Sequence, residues 1–347
     1  MFGTYRFLLA QMVVVAHLAY GVGMWSGVYA VFSFFALSGF LMTMVLEITY
    51  PATAKGVGRY LANRALRIYP PYLLVLLLAL GMVLINDYWA GWIGNTHMPR
   101  DPVEWLRNLA IFSLHLEPKE TARLVPPSWS VDIELCFYVI MGLGLARSRV
   151  VVLVWLGASL AWTVWANLNG LPFTERYMSI LPASLPYAVG AALWMHRESL
   201  QRWIRGPIHA IAAPAAYFIH MAAANHIWAG DPFGMGFYVS LGLTAWVIVA
   251  LSGVSPERFH PRVQTLDTFL GNLSYPVFLC HFAVASGIAM AGISLVKGPR
   301  LFWWSLPFII GVAWLVHLTS ETPLVWVRDR VRGRRRPSVV IGANASS

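Results

Sequence analysis

The chain has 347 residues, of which 58% are hydrophobic and only 12% charged, with a mean hydropathy of +0.61. That balance excludes an ordinary soluble domain and identifies a polytopic membrane protein. The net charge of +10 reads mainly as membrane topology. The two cysteines, Cys136 and Cys280, both in apolar runs, imply neither a disulfide framework nor a metal site.

A helix rising ~1.5 Å per residue needs about 17 to 25 apolar residues to cross roughly 30 Å of hydrocarbon. About ten such runs are predicted, at 7–25, 28–48, 70–89, 128–146, 150–167, 180–196, 207–225, 236–253, 269–294 and 301–324. They are too long, and lack the alternation, for barrel strands, so the fold class is all-α. A single transmembrane domain over 1–327 and a basic tail over 328–347 are expected, with two loops of note, 49–69 and 90–127. The N-terminus has no clustered basic region and runs straight into a second span, as an uncleaved helix does.

Placing the N-terminus inside puts eighteen of the 25 lysines and arginines on the inner side, six of them between Arg328 and Arg336. The positive-inside rule then favours two cytoplasmic termini. A juxtamembrane arginine run suits an inner-leaflet anchor better than a nucleic-acid partner.

In the first span, Arg6 and His17 are eleven residues apart, within ~20° of three full turns, so they share a helix face with ~16 Å between them. Arg6 is expected near the cytoplasmic interface and His17 near mid-bilayer. An anchor and an interhelical hydrogen bond are the bland readings; an ionisable group inside a membrane is a functional hypothesis by default. The second span offers Ser33 and Ser38, most simply packing sites. In "GRYLANRALRIYPPY", Arg64 and Arg67 share a face, whereas Arg59 points roughly 140° away if the helix is continuous. Forked guanidiniums there suit phosphate recognition as well as anchoring. Pro70 and Pro71 are expected to end that segment and start the third span.

Further along, "PPSWSVDIELCFYV" brings Trp129, Ser130, Asp132 and Glu134 to the outer part of the fourth span. Trp129 reads equally as an interfacial belt residue, and Asp132 and Glu134, two apart, face different ways. The ninth span carries Ser274, Tyr275 and His281, and the tenth His317 and Glu321.

In order, these motifs resemble acyltransferase family 3, integral membrane proteins that move acyl groups, often acetyl, onto hydroxyls of glycans and other extracytoplasmic acceptors. The resemblance rests on Arg6-x10-His17; "FFALSGFL" at 34–41; the stretch from Arg64 to Pro70; "WSVDIELCFY" from Trp129 to Tyr138; "SYPVFLCH" ending at His281; and "ETP" at 321–323. It departs at Val131, where leucine is usual, and at Asp132, which inherits no role.

The resemblance implies cytoplasmic acyl-CoA, with acetyl-CoA foremost, as co-substrate and no bound cofactor or metal. It implies donor binding by Arg6, Arg64, Arg67 and Tyr69, and His17 as a general base or acyl carrier with Glu134 as its orienting carboxylate. His281 is the competing base, and Ser38, Trp129, Ser130, Tyr275 and Glu321 are further candidates. The partners implied are the bilayer, a glycan or glycolipid acceptor, and alternatively a separate extracytoplasmic transferase; the location is the inner membrane. The rival reading is a transporter with a relay of His17, His281 and Glu134, weakened by the lack of matching broken helices in two halves.

Overall fold

A computed structural model describes residues 2–20, 23–94, 96–115 and 122–333. The tail from Arg334 onward, including Arg335 and Arg336, lies outside the described residues. The helices are α1 (Gly3–Leu18), α2 (Met24–Ile48), α3 (Ala54–Ile85), α4 (Asp87–Gly94), α5 (Pro102–Ala110), α6 (Ser128–Ile140), α7 (Arg149–Leu168), α8 (Ile180–Met195), α9 (Arg197–Gln201), α10 (Pro207–Ile227), α11 (Met235–Ser252), α12 (Pro261–Met290), α13 (Pro299–Val316) and α14 (Val325–Arg332). Among the described residues there is no strand. Among the described residues eight helical spans are long and apolar enough to cross a membrane, α6 counting with the turn that prolongs it and α13 with the turns and α14 that follow it. The shorter α1 and α8, of 16 residues each, occupy the other two predicted positions.

The C-terminal end of the described chain lies at one end of the bundle, beside the start of α3. There Arg59 Nε donates to the Val331 carbonyl at 2.6 Å and Asn63 Nδ2 to that of Arg328 at 3.1 Å, docking α14 on α3. Arg147 donates to the Leu46 and Tyr50 carbonyls, both at 2.6 Å, and so satisfies the C-terminal end of α2. We call this the basic end and the opposite one the far end.

Three expectations are corrected. Pro70 and Pro71 do not start a span; they lie inside the continuous α3, 32 residues long. The prolines leave the Leu66 and Arg67 carbonyls without an amide partner in the helix, a loss that the interior of a membrane bundle tolerates. Next, α1 stops at Leu18, so His17 occupies its last turn and not its middle; α2 then begins after Gly23, whose φ of 95° is left-handed backbone that suits glycine. Finally, α1 starts deep. The Phe2 and Phe40 rings are 5.9 Å apart, and α2 runs on from Phe40 to Ile48, ~12 Å, before reaching the basic end. Arg6 therefore sits well inside the bundle and His17 ~16 Å further toward the far end.

Helix packing fixes these levels. α1 and α12 run parallel: the Gly3 and Thr4 amides donate to Asp267 at 3.2 and 2.8 Å, and the same interval along both helices brings His17 to His281. Asp267 thus satisfies orphan N–H groups at the start of α1 and complements its dipole. α2 and α8 approach through Gly39 and Gly190, where an added Cβ would overlap the Tyr187 and Ala36 carbonyl oxygens respectively. Small residues permit this closeness in membrane bundles, and it sets the position of Ser38 beside Gly39.

The far-end segment between α4 and α6 does not stay outside as a plain loop. Tyr72 OH donates to the Asn108 carbonyl and Tyr69 OH to that of Ala110, both at 2.6 Å, although α3 continues from Tyr72 to Ile85, ~20 Å further. The buried Asp132 carboxylate anchors this tuck, accepting from the Leu114 amide at 2.6 Å, the His115 amide at 3.1 Å and His115 Nδ1 at 2.7 Å. Asp132→Asn keeps an acceptor but loses the charge, so an expected cost of about 1 kcal/mol should appear as a lower unfolding midpoint in detergent.

Candidate functional site

A cavity of about 100 Å³ opens between α1, α2, α3, α6 and α12, lined by Arg6, Arg64, Arg67, Ser38, Glu134 and Tyr138 among others. Three guanidiniums thus face one carboxylate. Among the described residues the guanidinium groups of Arg6 and Arg67 make no hydrogen bond or ion pair. The buried Arg64 donates through Nη2 to Asn63 Oδ1 at 3.1 Å and leaves Nε without a partner. Unpaired cations inside a membrane bundle are costly, and a bound polyanion would relieve that cost.

Glu134 is held from two sides. Ser38 Oγ donates to its Oε1 at 2.8 Å and Tyr138 OH to the same oxygen at 2.5 Å. Tyr138 follows Glu134 by one helical turn, which is why the two meet. No hydrogen bond joins Glu134 to either histidine among the described residues, so it does not orient His17.

Beyond the cavity, toward the far end, stands an aromatic partition. The Phe278 ring lines the cavity and lies 6.3 Å from the Phe34 ring and 6.5 Å from that of His281. Behind it His17 Nδ1 and His281 Nε2 are 2.9 Å apart, with ring planes within 6° of each other. His281 Nδ1 is 2.7 Å from the Phe278 carbonyl. That oxygen can only accept, so His281 Nδ1 carries the proton and its Nε2 offers a lone pair. His17 must then donate from Nδ1, which leaves His17 Nε2 as the free base of the pair.

The family model described as an acyltransferase domain matches residues 4–318. The chain belongs to acyltransferase family 3. No curated protein and no solved structure matches it.

In this acyltransferase, Arg6, Arg64, Arg67, Ser38, Ser130, Glu134 and Tyr275 all line the cavity. Tyr69, expected beside the arginines, is turned away to the Ala110 carbonyl. Trp129 packs edge-on against Tyr177 at 5.2 Å, in the far-end aromatic cluster. Glu321 lies 3.4 Å from His317 within the turn that follows α13, off the cavity. His17 and His281, weighed as rivals in sequence, form one pair.

Sequence reading missed Tyr138, although its four-residue spacing from Glu134 was available. It also passed over Lys297, which packs on Phe282 beside the two histidines and is one of the few basic residues at the far end.

Proposed function

We propose that this membrane acyltransferase moves an acyl group, acetyl foremost, from acyl-CoA entering at the basic end to a hydroxyl of a glycan or related acceptor arriving at the far end. The observation that carries this reading is the axial order: an arginine-lined cavity, then the Phe34 and Phe278 partition, then a histidine whose Nε2 is left free as a base. Phosphates of the coenzyme would supply the anion that Arg6, Arg64 and Arg67 lack. The extended arm would then carry the thioester past Phe278, ~16 Å along α1, to His17.

At that point His17 Nε2 takes the proton of the acceptor hydroxyl as the oxygen attacks the thioester carbonyl. The tetrahedral intermediate collapses by breaking the C–S bond, and the proton on His17 passes to the departing coenzyme thiolate. The hydrogen bond from His17 Nδ1 to His281 holds the ring and supports its transient positive charge, the part an orienting group plays beside a base. A proton relay through His17, His281 and Glu134, as a transporter would need, lacks the Glu134 link.

Purified protein in detergent, given acetyl-CoA, is expected to release free coenzyme only when a hydroxyl acceptor is added. Reporters fused at the C-terminus should read as cytoplasmic in the inner membrane, and reporters inserted after residue 170 or 230 as external. Acceptor-independent behaviour together with vectorial transport of a solute would favour the transporter.

A further inference from the structure

Beyond the histidine pair, the segment between α12 and α13 folds back over the end of α1. The Gly298 amide donates to the Leu18 carbonyl at 2.7 Å, immediately after His17 in sequence. This bond sets Lys297 beside the dyad: its Nζ lies 5.7 Å from the centre of the Phe282 ring. That ring in turn packs on His17 at 4.8 Å and on His281 at 4.4 Å. Lys297 is only partly exposed, and among the described residues its ammonium has no carboxylate or carbonyl partner. Burial lowers its pKa, the direction expected of a cation held without an anion. Contact with the Phe282 ring face offers it some compensation.

We propose that Lys297 is an acceptor-binding residue that selects acceptors carrying an anionic group, a carboxylate or a phosphate, close to the hydroxyl that is acylated. The proposal rests on the reading of His17 as the base at the far end. The anion would take the place of the missing partner and draw the neighbouring hydroxyl toward His17 Nε2. An ammonium is a point charge with three rotatable donors and suits either anion without demanding a planar fork. The donor's phosphates belong to the arginine cavity on the other side of Phe278, so the two charged ligands would not compete.

The test has two arms. In the first, the membrane protein in detergent is treated with an amine-acetylating reagent, and modification of Lys297 is followed by mass spectrometry with methyl glucoside, glucuronate or glucose 6-phosphate present. Protection by one or both anionic sugars and none by the neutral one is expected, and which anion protects separates carboxylate from phosphate. Equal reactivity in all three overturns the proposal, whether or not His17 is the base.

In the second arm, coenzyme release from acetyl-CoA is measured with the same sugars as acceptors. Lys297→Gln should lower the preference for the anionic over the neutral acceptor, as a ratio of kcat/KM, by about tenfold or more. Lys297→Arg should retain part of it. An unchanged ratio, or an equal fall in kcat for every acceptor as loss of an oxyanion contact would give, overturns the assignment.

Discussion

His17→Gln should lower turnover by about 10² to 10⁴, the usual range for loss of a general base. The amide still donates to His281 but takes no proton at neutral pH. A hydrogen bond between membrane helices is typically worth only about 0.6 kcal/mol, so the variant should insert and fold. The partner discriminates further. His281→Ala strips the acceptor from His17 Nδ1 and frees the ring to turn, whereas His281→Gln offers an amide oxygen in its place. Activity should therefore rank His281→Gln above His281→Ala, with both above His17→Gln. Near wild-type transfer by His17→Gln alongside an inactive His281→Gln would move the base to α12.

Arg64→Ala should weaken acyl-CoA binding ten- to a hundredfold, since a charge-assisted phosphate contact is worth about 1.5 to 3 kcal/mol. Arg67→Ala should act in the same direction, and Arg67→Lys should recover only part, keeping charge without the fork. The unpaired guanidinium of the free protein adds a second readout. Arg64→Met loses the bonds to Asn63 and Met42 but removes a cation buried without a carboxylate partner and with Nε unpartnered, so the donor-free protein should unfold at a temperature no lower than wild type, because an uncompensated buried charge is costly. Donor affinity and stability should thus move independently. Unchanged donor affinity in both alanine variants would return these arginines to topology anchors.

The amino-acid sequence by itself determined the long apolar helices and their order, but not the short α4, α5, α9 and α14. A membrane helix must satisfy its backbone hydrogen bonds within itself, so length and hydropathy are legible locally. It also determined that Arg64 and Arg67 share a helix face while Arg59 does not, because residues three apart on a helix lie together wherever that helix is placed. The boundaries it misjudged depend on neighbours: Pro70 and Pro71 stay inside α3 where other helices surround them, and α1 begins level with Phe40 because Phe2 packs there.

Only the tertiary structure decided which polar groups meet. Glu134 finds Ser38 and its own Tyr138 rather than His17, His17 finds His281, and Asp132 finds His115. The pairs that join separate helices lie far apart in the chain, so spacing carries no trace of them; they follow from the parallel run of α1 and α12 and the close approach of α2 and α8. Those packings are set by side-chain fit and by the cost of leaving a polar atom unpartnered where water is scarce. Against that cost, Arg6, Arg64 and Arg67 face one carboxylate, Glu134, across the cavity.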